Sequence, residues 1–153
     1  MDSNAHNDMA DVYRLKGEFR KAIEFYDKTV SIDPLDTNAM LEKAQCLIQM
    51  KQMKEAEEQL DFLIEGFPSS RDTATAIVIK ATLQIREKKY APAYDLLLRA
   101  LEYFPFNRAV LFQAALTAYF LKKYQQAENF LKKILEMTPD DKRARALLKK
   151  VQR

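Results

Sequence analysis

The chain has 153 residues, 48% of them apolar and 31% charged, which suits one compact domain or a short repeat array with a well-solvated surface. Two glycines, Gly17 and Gly66, are too few for a sheet protein with tight hairpins, and the abundance of Leu, Ala, Lys, Glu and Gln favours an all-α chain. The lone Cys46 excludes an intramolecular disulfide and a multi-cysteine zinc site. The net charge of +3 hides an asymmetry, with residues 1–70 at −6 (8 Lys/Arg, 14 Asp/Glu) and residues 122–153 at +6 (10 against 4).

No apolar run reaches membrane-spanning length and no signal-peptide pattern opens the chain, so a cytoplasmic setting is expected. Pro34, Pro68, Pro105 and Pro139 are spaced by 34, 37 and 34 residues. Twelve residues before them stand Ala22, Ala56, Ala93 and Ala127, and a further twelve before those stand Ala10, Ala44, Ala81 and Ala115. Such a period is the mark of a repeat array.

In chain order, the pattern predicts helices over 4–16 and 19–33, the second carrying Ile23, Phe25, Tyr26, Thr29 and Val30 at helical spacing. Pro34 ends it, since proline donates no backbone hydrogen bond and disfavours helix in the residue before it. Asp36-Thr37-Asn38 offers N-cap candidates for helices over 37–50 and 54–66, closed by Pro68. The three-residue insertion falls around Ser69-Ser70-Arg71-Asp72-Thr73, ahead of helices over 73–88 and 91–104. Pro92 lies in a first helical turn, where proline is tolerated. The last pair spans 107–121 and 125–137, and after Pro139-Asp140-Asp141 a final helix over 141–152 turns Ala144, Leu147, Leu148 and Val151 inward. Alanine at the eight recurrent places lets paired helices approach closely.

The pattern resembles the tetratricopeptide-repeat family over residues 3–139. The first repeat carries Met9-Ala10, Tyr13, Gly17, Phe19, Ala22, Tyr26 and Pro34, and the others keep the small residues, a bulky group at the turn (Met53, Tyr90, Tyr124) and the proline. Departures are His6, Met40, Ile77 and Leu111 at the family's tryptophan position, Lys43 and Lys80 where an apolar residue is usual, and Thr29, Leu63 and Ile134 at a usual alanine. The resemblance implies an all-α, right-handed α-solenoid of four antiparallel helix pairs with a C-terminal capping helix. It implies one domain over 1–153, with repeats at 3–36, 37–70, 74–107 and 108–141 and the cap at 141–152. It further implies a non-enzymatic scaffold or adaptor that binds a protein or peptide partner in a concave face lined by the first helix of each pair.

In that register the inner-face positions are Asn4, Asn7, Asp11 and Arg14; Asn38, Leu41, Gln45 and Ile48; Thr75, Val78, Thr82 and Ile85; and Ala109, Phe112, Leu116 and Tyr119. They grade from polar to apolar. Family members that grip a carboxylate tail use lysine, asparagine and arginine at two positions per helix, occupied here by Asn7 and Asp11, Leu41 and Gln45, Val78 and Thr82, and Phe112 and Leu116. That set suits a hydrophobic or amphipathic segment instead.

Other chemistry is not signalled. His6, the only histidine, occupies a packing position, and Cys46 lies in an apolar helix that would keep its thiol inert. No glycine-rich phosphate loop or cofactor fingerprint is present, so no cofactor is expected. Glu55, Glu57 and Glu58 read as a solvated helix side. Lys132, Lys133, Lys142, Arg143, Arg145, Lys149 and Lys150 have no aromatic residues interleaved, so nucleic acid is not expected as a partner. Two alternatives remain: a secretion-type chaperone, suggested by Phe104-Pro105-Phe106 and the chain's size, and a self-associating homo-oligomeric module or a designed or truncated array.

Overall fold

A computed structural model describes residues 1–153. It contains α1 (Ser3–Leu15), α2 (Phe19–Ile32), α3 (Thr37–Gln49), α4 (Met53–Gly66), α5 (Arg71–Arg86), α6 (Tyr90–Tyr103), α7 (Arg108–Phe120), α8 (Tyr124–Met137) and α9 (Lys142–Val151). The chain divides into two compact units, Met1–Ala76 and Ile77–Arg153, with the boundary inside α5.

Helix starts follow from capping. Asp2, Asp36, Asn107 and Asp141 each accept a side-chain hydrogen bond from the backbone N–H three residues on, at 2.8, 2.9, 3.1 and 2.9 Å. Each satisfies one donor that the helix leaves unpaired. The three-residue insertion does not lengthen a loop. It is absorbed into α5, which has 16 residues where α1, α3 and α7 have 13.

The first helices end alike. Gly17 donates to the Arg14 carbonyl at 3.0 Å and Glu18 to that of Tyr13 at 2.9 Å, and Lys51/Gln52, Lys88/Lys89 and Lys122/Lys123 repeat the pattern. This pair of hydrogen bonds closes a helix through one left-handed residue. Gly17 takes that role at φ +78°, but Lys51, Lys88 and Lys122 take it at +59°, +61° and +60°. The left-handed region costs a residue with a Cβ about 1–2 kcal/mol, while glycine's freedom in the unfolded chain costs about 0.5–1 kcal/mol. Each of Lys51→Gly, Lys88→Gly and Lys122→Gly is therefore expected to stabilise the protein by roughly 0.5–1 kcal/mol in urea denaturation. Unchanged or lower stability in all three would contradict this account of the turns.

The recurrent alanines are buried: Ala10, Ala22, Ala56, Ala81, Ala93, Ala115 and Ala127 are 0% exposed and Ala44 1%. In the first unit Ala10, Ala22, Tyr26, Ala39 and Cys46 form a core, with Tyr13, Phe19, Ile23, Phe25 and Val30 packed against it. Thr29, at a usual alanine position, is fully buried, and its hydroxyl is satisfied by donating to the Phe25 carbonyl at 3.2 Å. Lys43 keeps its charge at the edge, 2.6 Å from Asp27. In the second unit α7 packs on α8, and α9 covers α8 and touches α7. The core there is Leu111, Ala115, Ala118, Ala127, Leu131 and Ile134 with Ala144, Leu147 and Val151 of α9. No helix is long and apolar enough to cross a membrane.

Candidate partner-binding face

The inner-face residues of the first unit are largely engaged with one another. Asn7 Nδ2 donates to Asp36 Oδ2 at 2.8 Å, tying α1 to the cap of α3. The Tyr26 hydroxyl donates to Asp11 Oδ1 at 2.6 Å and accepts from Arg14 Nε at 3.3 Å. Arg14 Nε also lies 3.3 Å from Glu42 Oε2, and Gln45 Nε2 donates to Glu42 Oε1 at 3.5 Å. Burial, reinforced by the Asp11 carboxylate, pushes the Tyr26 phenol well above its ordinary range, and burial also raises the Glu42 carboxyl against the pull of Arg14. The hydrogen bond to Tyr26 is the main influence raising the Arg14 guanidinium further above its ordinary range.

Two expectations change here. Leu41 is 4% exposed and belongs to the core, so it presents nothing to a partner. Asp11 accepts from Tyr26 and shares Arg14 with Glu42, so its carboxylate is partly engaged within the first unit. Tyr26 and Glu42 were not anticipated as parts of this network, and nothing in helical periodicity pairs them with α1. Ile48 is partly exposed near the end of α3.

Cys46 is buried, and burial pushes its thiol up to about 11. The unfolded thiol titrates near its ordinary 9.0, so above that pH the unfolded chain loses the proton first. The contribution is fully present below pH 9.0 and is lost as pH rises through about 11. Tyr26, also raised, works in the same direction. Stability measured by denaturant titration is thus expected to fall steadily above about pH 9, and a Cys46→Ala chain to fall less steeply. Equal slopes for the two chains would exclude a contribution from the thiol.

The second unit is different. Val78, Thr82 and Ile85 of α5 and Phe112, Leu116 and Tyr119 of α7 are all partly exposed. The Thr82 hydroxyl is spent on the Val78 carbonyl at 2.7 Å. Helix α7 is apolar around its circumference: Val110, Leu111, Ala114, Ala115 and Ala118 are fully buried on one side, while Phe112, Leu116 and Tyr119 pack only in part on the other. At its C-terminal end Phe120, 41% exposed, stacks on Tyr90 with ring centroids 4.7 Å apart, and Tyr119 lies 6.0 Å from Tyr124.

Part of a second layer lies over the inner side of α7. The Arg143 guanidinium of α9 sits 4.4 Å from the Phe112 ring centroid, and Arg108 Nη1 lies 3.7 Å from Asp141 Oδ2. In the sequence Arg143 stood only as one of the basic residues near the end of the chain. A signal for its proximity to α7 was available: it follows Ala109, an inner-face position, by one 34-residue period.

A family model described as the tetratricopeptide repeat protein 21 second ARM domain matches residues 2–108, and a tetratricopeptide repeat model matches residues 84–151. No curated protein sequence matches significantly. Among solved structures, MamA superposes with a TM-score of 0.78 at 21% identity, over 97% of this chain and 80% of its own. A tetratricopeptide repeat protein from Parabacteroides merdae gives 0.81 at 19% identity, over 98% of this chain and 60% of its own. YrrB, described as a TPR protein with an unusual peptide-binding site, gives 0.71 at 18% identity, over 96% and 74%. These likenesses carry the fold, and together with the matched models and the recurrent Ala, Ala, Pro spacing they lead to one conclusion: the chain belongs to the tetratricopeptide-repeat family.

Proposed function

We propose that the protein is an adaptor that docks a hydrophobic or amphipathic segment of a partner polypeptide on the face formed by Phe112, Leu116 and Tyr119 of α7 with Val78 and Ile85 of α5. The observation that carries this reading is the apolar circumference of α7, one side of which the fold leaves half covered. A helix apolar all round belongs in a core or against a partner. The polar inner-face positions Asn7, Asp11 and Gln45 contribute little, because their hydrogen-bonding capacity is already directed inward. YrrB's peptide-binding site is consistent with this use of the fold.

A photo-crosslinking side chain placed at Leu116 tests the reading, with one at Phe62, an exposed aromatic of the first unit, as the control for general stickiness. Discrete adducts from position 116 that are absent from position 62 are expected in native lysate. Equal labelling at both sites, or none at 116, would remove the support for this face.

A further inference from the structure

At the start of α7, Val78, Arg108, Phe112, Gln113, Asp141 and Arg143 surround a depression of about 230 Å³. Its charges do not balance. Asp141 is the carboxylate present, and it is already committed: Oδ1 accepts from the Ala144 N–H at 2.9 Å and Oδ2 faces Arg108 at 3.7 Å. The first turn of α9 adds Lys142, Arg143 and Arg145 and no acid, although a helix N-terminus disfavours cations.

Arg143 is also pre-oriented. Its guanidinium carbon lies 4.4 Å from the Phe112 ring centroid, within cation–π range. A guanidinium carries its N–H groups as a planar fork that grips a carboxylate through two parallel bonds. Gln113 belongs to the same wall, with its Oε1 buried and without a hydrogen-bond partner.

From this geometry we propose that the depression is an acidic-residue subsite of the docking face. A carboxylate side chain of the docked polypeptide bridges Arg108 and Arg143, and large apolar side chains beyond it lie along Phe112, Leu116 and Tyr119. The proposal rests on the docking reading above and adds a polarity to it: the acidic end of the segment lies at the start of α7. Tyr119 stands seven positions after Phe112, so at 1.5 Å per residue the apolar contacts run over about 10 Å of α7.

The test uses two fluorescein-labelled amphipathic peptides of about 18 residues, long enough to be helical when bound. They share one leucine face; one carries two glutamates at an end and the other carries glutamines there. With the full chain, the glutamate peptide is expected to bind roughly tenfold tighter at low salt and to lose that advantage at high salt. Arg143→Gln and Arg108→Gln should each erase most of the difference while leaving the glutamine peptide unchanged. Arg143→Lys, which keeps charge without the planar fork, should fall between. If the two peptides bind wild type equally, or the arginine variants bind the glutamate peptide as wild type does, the acidic subsite is wrong. Phe112→Ser then separates the two ideas: a loss of leucine-face binding keeps the docking face, and no loss removes it as well. Binding of neither peptide would overturn both.

Discussion

Ala115→Leu is expected to lower the stability of the protein by about 1–3 kcal/mol, the usual cost of forcing methylenes into a well-packed contact. Ala115 on α7 and Ala127 on α8 are both 0% exposed and share one core with Leu111, Ala118 and Leu131. Helix α7 cannot retreat to admit a larger side chain, because Leu111 and Ala118 on the same side are equally buried. Adding three carbons at Ala115 must therefore part α7 from α8 or push a neighbour off its rotamer. Ala109→Leu, at an exposed position of the same helix, is the matched control and should change stability by no more than about 0.5 kcal/mol. Urea denaturation of both variants reads the difference directly. An Ala115→Leu chain as stable as wild type would mean that the alanine period does not mark the close contact.

Phe112→Ser is expected to weaken partner binding about thirtyfold while leaving the fold in place. Interface energy concentrates in a few large anchors, and losing one costs on the order of 2 kcal/mol, with 1.4 kcal/mol for each factor of ten. Phe112 is the largest apolar side chain at the arginine-lined end of the docking face, and Arg143 lies against its ring. Some stability will go with it, about 1 kcal/mol for a half-buried side chain. The neighbouring Leu111→Ser is the contrast, since Leu111 is fully buried and leaves both a cavity and an unpaired hydroxyl. Titration of the polypeptide captured by the crosslinker at position 116, alongside thermal denaturation, distinguishes the roles. A large loss of stability in Phe112→Ser with unchanged affinity in the folded fraction would mark the residue as packing.

The positions of the helices were legible in the sequence to within a residue or two because their ends depend on chemistry close by in the chain. Asp36 and Asp141 cap helices that begin at the next residue, and Pro34, Pro68, Pro105 and Pro139 each stand two residues beyond a helix. The contacts of paired helices were legible as well, because alanine is the residue that permits a close approach and its twelve-residue spacing repeats. The insertion near residue 70 shows the limit: sequence located it, but Arg71, Asp72 and Thr73 are all compatible with helix, so they extend α5 rather than its loop.

By itself, then, the sequence determined the number of helices, their ends and the alanine faces on which they pair, since each rests on interactions within a few residues or on a strict period. Tertiary structure decided which inner-face residues remain available. Leu41 is covered by its own core, Asp11 and Arg14 are drawn to Tyr26 and Glu42 from other helices, and Arg143 reaches Phe112 from 31 residues away. Exposure and charge pairing depend on side chains that meet only after the helices have packed, and no local spacing encodes which partner arrives first.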